Sequence, residues 1–329
     1  MILIISNTED VTSDFLVREI RKRNIEFARL NTNEFPINGI GISTFGFGYK
    51  NIRTLQFKGR DKEIDFDNVK SVIYRRPIRP VTDYSIASPY IQKYCIDESY
   101  EFLRGLWYTL DCYWMSDPEA IRKAEHKINQ LKFATKLKFK IPKTLITNDP
   151  STVISFYKEC NNKIIIKSLY LGFIDDPEKP LSIFTSVVTE KDLEKINTLK
   201  SCPAIFQEKI EKKYDLRVTV IGGNVIAVKI VSKNIPEKIP DWRYLDIKNL
   251  DHSLYELPKV IKIKCVKLVK NLGLDFGAID LAVDNDGNYF FFEINPNGQW
   301  AWLEYLFNIP MSKLIIDRVL NKKKCSEIV

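Results

Sequence analysis

At 329 residues the chain can bury a large core and divide into two or three subdomains, and its 45% apolar and 28% charged content is ordinary for a globular protein. The net charge of +8 suits an acidic partner such as a nucleotide, a nucleic acid or a carboxylate-rich peptide, although the basic residues are spread along the chain apart from Lys322-Lys323-Lys324. No apolar run reaches membrane-spanning length, two histidines argue against histidine-based metal sites or triads, and six cysteines without a CxxC pair support neither a zinc site nor a disulfide frame.

The cysteine usage fits a reducing cytoplasm, and the N-terminal MILIIS, too short for a signal peptide and without a basic leader, reads as a first core strand. Residues 1 to about 115 read as a small α/β unit. Strand Ile2 to Ile5 is followed by the cap cluster Thr12-Ser13-Asp14 and a helix through Lys22. Phe27 to Leu30 is a second strand, Phe45 to Tyr49 with Thr54 to Phe57 a hairpin, and Val69 to Tyr74 a strand ending in Arg75-Arg76-Pro77. Tyr90 to Tyr113 has helical spacing. No GxGxxG occurs, so a dinucleotide fingerprint is absent.

Ser116-Asp117-Pro118 marks a boundary. A helix from Glu119 to about Phe139 contains His126-Lys127-Ile128-Asn129-Gln130, and a capped helix spans Ser151 to Cys160. Lys163 to Lys167 is a short buried strand. An irregular stretch from Leu169 to Pro180 follows, then a strand over Ser182 to Val188 and a helix over Glu190 to Leu199. Long strands come next, at Ala204 to Ile210, Asp215 to Ile221 and Asn224 to Val231, the last two joined by Gly222-Gly223. Helices over Pro258 to Leu272 and Pro310 to Leu320 frame the last hairpin. The expected division is 1–116, 117–203 and 204–329.

That hairpin carries the chemistry. Strands Ala278 to Val283 and Tyr289 to Asn295 flank Asp284-Asn285-Asp286-Gly287-Asn288. If Asp284 pairs with Tyr289, Asp280 falls opposite Glu293, and Asn295 shares Glu293's face because side chains alternate along a strand. Two buried carboxylates are costly unless something neutralises them, and a hard cation such as Mg2+ takes oxygen ligands. The hairpin alone leaves two readings open: a Mg-nucleotide site at Asp280, Glu293 and Asn295, or a polar face meeting solvent. A calcium loop starting at Asp284 is excluded, since Tyr289 stands where it needs glycine and Asn295 where it needs glutamate.

In chain order, a helix carries Lys127, a strand ends in Lys167, and Gln207-Glu208-Lys209-Ile210 closes another strand. Asp215, Arg217 and Lys229 lie on the next two strands and Asp241-Trp242-Arg243 in a loop, before the acidic hairpin. This series resembles the ATP-grasp ligases over nearly the whole chain. The resemblance implies an α/β fold with an N-terminal pre-ATP-grasp domain, a central domain and a C-terminal antiparallel-sheet domain, using ATP and Mg2+. It implies that Lys127 and Lys167 hold the α- and β-phosphates, that Gln207 to Ile210 read adenine with Glu208 on its amine, and that Asp215 takes the ribose. Asp280, Glu293 and Asn295 would hold the metal. The loop after Lys167, with its single Gly172, would close over the phosphates in place of a Walker-type glycine loop.

The run Asn295-Pro296-Asn297-Gly298-Gln299-Trp300, with Glu304, Tyr74-Arg75-Arg76-Pro77 and Asp241-Trp242-Arg243, is similar to the graspetide synthetases, the microviridin-type peptide ligases. Members activate an Asp or Glu side chain of a ribosomal precursor peptide, and a Thr, Ser or Lys side chain then closes a lactone or lactam. The resemblance implies a precursor with a leader and an acidic, Thr-rich core, and a homodimer. Arg217 and Arg243 are expected to clamp the substrate acid, with Lys229 near the transferring phosphate; pairing with Asp215 is the other reading of Arg217. Arg75 and Arg76 read equally as interdomain or dimer contacts. Asp175, Asp176, Glu190 and Asp192 are expected to meet a basic leader residue, or else to face solvent. Two other functions stay open: a ligase adding a free amino acid to a carboxylate, and a basic nucleic-acid-binding module on a degenerate fold. No basic-aromatic repeat supports the second, so neither nucleic acid nor membrane is expected as a partner.

Overall fold

The computed structural model describes residues 1–321 except 49, 61, 171, 175, 177 and 233–249. It is mixed α/β and forms two compact units, Met1–Pro118 with Gln299–Val329, and Glu119–Gly298.

In the first unit, β1 (Ile2–Ser6), α1 (Val11–Lys22) and β2 (Phe27–Asn31) form a parallel crossover. A hairpin of β3 (Gly39–Thr44) and β4 (Ile52–Phe57), with the short β5 (Ile64–Asp65), makes a separate three-stranded sheet. Then β6 (Ser71–Tyr74), α2 (Pro89–Tyr108) and β7 (Tyr113–Met115) complete a parallel sheet of order β2-β1-β6-β7. Every residue of β1 is buried, as expected for a parallel strand covered on both faces. Leu3, Ile5, Val72, Leu103 and Trp107 centre one core.

Two expectations shift here. The partner of β4 is β3, not Phe45 to Tyr49: Phe45 and Phe47 are exposed beyond the end of β3, and Tyr49 lies outside the described residues. Glycine decides it, because a Cβ on Gly41 would stand 2.3 Å from the Phe102 ring and one on Gly39 2.8 Å from Phe57. Helix α1 starts one residue before the expected cap cluster, with Asp10 at its N-cap position.

Asp10 is instead part of a buried cluster. Its carboxylate accepts from Ser6 Oγ at 2.8 Å and Ser13 Oγ at 2.6 Å, and lies 3.7 Å from Arg75 Nε. Burial works to raise this carboxyl, but Arg75 and the two serines outweigh it and hold it below its ordinary value. Burial pulls the Arg75 guanidinium down to about 10 against the opposite pull of Asp10. Arg75 is thus spent inside this unit, while Arg76 is exposed. A carboxyl held low stabilises the fold above its unfolded pKa, and that contribution is lost as pH falls through the folded pKa. Resistance of the chain to urea should therefore weaken as pH is lowered through and below the ordinary aspartate value, and Asp10→Asn should flatten that dependence. Taking the carboxylate from the buried Arg75 should also cost about 3–5 kcal/mol at neutral pH; an unchanged urea midpoint would refute the pair's role.

The second unit opens with α3 (Pro118–Glu125) and α4 (Lys127–Lys136), two helices where one was expected, broken at the extended His126. Next come β8 (Thr144–Thr147), α5 (Pro150–Glu159), β9 (Ile164–Lys167), the ribbon β10 (Phe173–Ile174) and β11 (Leu181–Ser182), β12 (Ser186–Val187), α6 (Glu190–Leu193) and β13 (Ala204–Glu208). Strands in the order β12-β9-β13-β8 form an antiparallel sheet. One face, with Phe206, Ile164, Ile166 and Leu145, packs with Val153 and Phe156 of α5. The expected strand over Ser182 to Val188 is thus two short pieces, and the expected helix from Glu190 stops at Leu193 before a 3-10 stretch.

A second antiparallel sheet, of order β16-β15-β14-β17-β18, uses β14 (Lys212–Ile221), β15 (Asn224–Ser232), β16 (Leu250–Leu254), β17 (Phe276–Asp284) and β18 (Tyr289–Asn295). Helix α7 (Lys259–Asn271) packs against β14 and β17. From Gln299 the chain belongs to the first unit again, as α8 (Ala301–Phe307) and α9 (Met311–Asn321). Fully buried Trp300 packs edge-on to Phe15, and the Thr12 hydroxyl donates to Gln299 Oε1. The Glu304 carboxylate accepts from the Ser312 N–H and hydroxyl, both at 2.8 Å, and so caps α9. No described helix is long and apolar enough to cross a membrane, and the five described cysteines are free.

Candidate active site

The site is a row across the second antiparallel sheet. Arg217 on β14 pairs with Asp280 on β17, which pairs with Glu293 on β18. The hairpin reaches this register by two offsets that cancel. Val283, not Asp284, pairs with Tyr289, and a bulge at Phe292 restores the match of Asp280 with Glu293. Like charges directly opposite each other on a sheet repel. Each acid has its own cation: Arg217 Nη1 donates to both oxygens of Asp280 at 3.0 Å, and Lys127 Nζ is paired with Glu293 Oε2. The side chains of all four are at most 19% exposed, so these charges interact with little solvent screening. The other partner read for Arg217, Asp215, takes Lys212 Nζ at 2.6 Å.

Asn295 follows two residues after Glu293, at the end of β18 and opposite Ala278. Its Oδ1 accepts from the Asn297 N–H at 3.0 Å, an Asx turn that fixes the amide where the strand ends. Gly298 closes this turn because nothing larger fits: a Cβ there would stand 2.4 Å from the Ala278 Cβ. Among the described residues no group of three or more His, Cys, Asp or Glu side chains is placed to hold a metal. The candidate donor set is two carboxylates and one amide oxygen. All are hard oxygen donors on one strand pair, and that set fits Mg2+ with the remaining positions left to water or phosphate.

Lys127 owes its place to the break at His126, which makes it the first residue of α4. The sequence reading missed what holds that helix to the hairpin. Gln130, 2% exposed, donates from Nε2 to the Ile294 carbonyl at 2.8 Å and accepts at Oε1 from the Ile294 N–H at 3.1 Å. It also donates to the Ala124 carbonyl of α3 at 2.7 Å. The signal available was its place one helical turn after Lys127.

The base-binding candidates lie on the first sheet of this unit. Lys167 pairs with Ile205 and Gln207 with Ile165, so Lys167 and Gln207 share the face turned away from α5. Gln207 is 1% exposed and donates to Thr144 Oγ1 at 2.8 Å. The Glu208 and Lys209 N–H groups donate to the Lys143 and Lys163 carbonyls, both at 2.9 Å. The Lys140 carbonyl accepts from the Phe291 N–H at 2.8 Å, so residues 140–143 join the metal-candidate strand to the Gln207–Ile210 segment. Three residues of extended chain span about 10 Å, the scale of a nucleotide.

Some candidates are not brought together. Lys229 pairs with Leu216, one residue off the charged row. Alternation therefore turns it to the opposite face, where its Nζ lies 4.9 Å from the Tyr214 ring centroid. The residue expected near the transferring phosphate thus does not share the face of Arg217 and Asp280. Arg243 and Asp175 lie outside the described residues. Asp176 accepts from the Glu178 and Lys179 N–H groups in a local turn, and Asp192 accepts from the Thr189 N–H and hydroxyl at the start of α6. Glu190 is exposed at the first position of that helix.

Comparison with known proteins adds the following. The family profile described as the MvdD pre-ATP grasp domain matches residues 1–122. A Chryseobacterium gregarium RiPP-associated ATP-grasp ligase, solved in complex with ADP and a leader and core peptide, is 32% identical with a TM-score of 0.89, covering 98% of each chain. The Microcystis aeruginosa macrocyclase MdnC, solved bound with its precursor peptide MdnA, is 28% identical with a TM-score of 0.86, covering 98% of this chain and 99% of that one. Macrocyclase MdnB from the same organism is 29% identical with a TM-score of 0.81 over the same shares. The search of curated proteins found no match. The fold, shared with these proteins over 98% of the chain, is that of an ATP-grasp ligase. The chain belongs to the RiPP-associated ATP-grasp ligases of the microviridin type, the graspetide synthetases.

Proposed function

We propose that this chain uses Mg·ATP to phosphorylate Asp or Glu side chains of a ribosomally made precursor peptide. It then joins them to Thr, Ser or Lys side chains of the same peptide, giving lactones or lactams. The observation that carries this reading is the row Arg217–Asp280–Glu293–Lys127, two acids each held by a cation on one sheet face. Support for a peptide substrate comes from two of the relatives, MdnC and the Chryseobacterium gregarium ligase, which were solved with a precursor peptide and with a leader and core peptide.

In this reading Asp280, Glu293 and Asn295 hold Mg2+, which when bound neutralises charge on the phosphates. Lys127 and Lys167 would each supply a point charge to the phosphates. Arg217, beside the metal acids, orients the substrate carboxylate, whose approach to a polyphosphate anion needs a guanidinium in place. Arg243 is proposed for the same clamp. With the Glu208 and Lys209 N–H groups used inside the sheet, the base is read by Ile210 and the segment's carbonyls, with Glu208 on the exocyclic amine and Asp215 at the ribose. Asp176 and Glu190 are proposed to meet the leader, with Asp175 and Asp192 beside them. The three subdomains bounded at 116 and 203, a homodimer and a cytoplasmic setting belong to the same proposal.

The chemistry sets the test. A candidate precursor with repeated Thr and Asp/Glu blocks, incubated with the full chain, ATP and Mg2+, should lose one water per link. Esters should then open in mild base while amides persist. An unchanged peptide mass, with ATP intact, would reject the proposal.

A further inference from the structure

We propose that Gln130 is a positioning residue that fixes the offset between the phosphate lysine and the metal-binding strand; this rests on the nucleotide reading of the site given above. β18 ends the order β16-β15-β14-β17-β18 and is an edge strand. The outward N–H and C=O groups of an edge strand need partners when they are buried. At the other end of β18 the Lys140 carbonyl serves the Phe291 N–H. At the site end a side chain does this work. The Gln130 amide gives Ile294 one acceptor and one donor, at 3.1 and 2.8 Å, as the peptide of a neighbouring strand would.

Ile294 stands between Glu293 and Asn295, and its own side chain is 2% exposed. Pinning its peptide on both sides fixes the direction in which the two flanking polar side chains leave the strand. The same amide holds the Ala124 carbonyl at 2.7 Å, the last turn of α3, and so holds the chain break that starts α4 at Lys127. Lys127 and Gln130 are one turn apart on that helix, and they meet β18 at successive residues, Glu293 and Ile294. One buried amide therefore ties the ammonium that meets phosphate to the carboxylate and amide that meet the metal. Such orienting groups behind metal ligands are typically worth about 10- to 100-fold in metal affinity or activity.

Two substitutions separate positioning from mere packing. Gln130→Glu keeps the size and the acceptor for the Ile294 N–H; ionised it has no donor for the Ile294 and Ala124 carbonyls, and protonated it regains one. Gln130→Met removes every one of these bonds at similar volume. Binding of ADP to the full chain is titrated with and without Mg2+, and ATP turnover is followed against Mg2+ concentration. Both variants should raise the Mg2+ needed for half-maximal ADP binding and turnover by about 10- to 100-fold, with metal-free ADP binding changed far less. In Gln130→Glu, turnover relative to the unsubstituted chain should recover as pH is lowered. A folded Gln130→Glu chain with an unaltered Mg2+ requirement and a parallel pH profile overturns the proposal, whether or not Gln130→Met folds. Glu293→Gln is run beside them. If it keeps its Mg2+ requirement, the metal reading itself is wrong; if it loses Mg2+ binding while the Gln130 variants do not, only the positioning role is wrong.

Discussion

Glu293→Gln should lower Mg-dependent ATP turnover by about 10³-fold or more while the chain stays folded. The magnitude follows from the several kcal/mol that a bound metal contributes to a transferring phosphoryl group, at about 1.4 kcal/mol per tenfold. Glutamine keeps the shape and one oxygen but removes the charge that both the metal and Lys127 answer to. In the present arrangement Glu293 carries the Lys127 ammonium, and Gln130 fixes the next residue from the same helix. The fold should therefore survive, because losing this acid also relieves the repulsion from Asp280 across the pair. Circular dichroism and ADP binding without metal check the fold; retained Mg-dependent turnover would remove Glu293 from the metal set.

Arg217→Ala should be the more damaging change to the molecule. Arg217 donates to both oxygens of Asp280 from a side chain 10% exposed, against a carboxylate 14% exposed. Removing one partner of such a pair typically costs about 3–5 kcal/mol, because the other charge stays buried. Here the cost is enlarged by Glu293 on the next strand, which would face Asp280 with the guanidinium gone. Asp280→Asn in the same chain should return much of the lost stability and none of the turnover. Urea midpoints of the two single variants and the double variant measure this directly. Equal midpoints for Arg217→Ala and the unsubstituted chain would show that the pair carries no stability. Crosslinking activity that survives in Arg217→Ala would remove it from the acid clamp.

The acidic hairpin was legible because alternation and a strong turn sequence mark it, although Asp280 faces Glu293 only because a bulge cancels the offset at the turn. The register behind that match was not, since nothing in period-two alternation announces the bulge at Phe292 that corrects the turn offset. The place of Lys229 was legible in principle. Gly222-Gly223 pairs Ile221 with Asn224, and counting outward puts Arg217 opposite Val228 and Lys229 opposite Leu216, hence on the other face. The break at His126 was hidden for a different reason. Local spacing favours one helix through Phe139, whereas the break is held by bonds from Gln130 to Ala124 and to Ile294, which is 164 residues away in sequence. Strands β1, β2 and β6 and the position of Lys167 at the end of β9 followed from short apolar runs. Strand β3 did not, because its glycines look like a loop until Phe57 and Phe102 are seen filling the space where their side chains would be.

The most direct measurement follows oxygen atoms. A precursor peptide whose Asp and Glu side-chain carboxylates carry heavy oxygen is incubated with the full chain, ATP and Mg2+, and the released phosphate is weighed by mass spectrometry. Passage through an acyl phosphate leaves one heavy oxygen on the phosphate for each link closed, and Glu293→Gln releases none. Links that close with unlabelled phosphate would contradict carboxylate activation at this site.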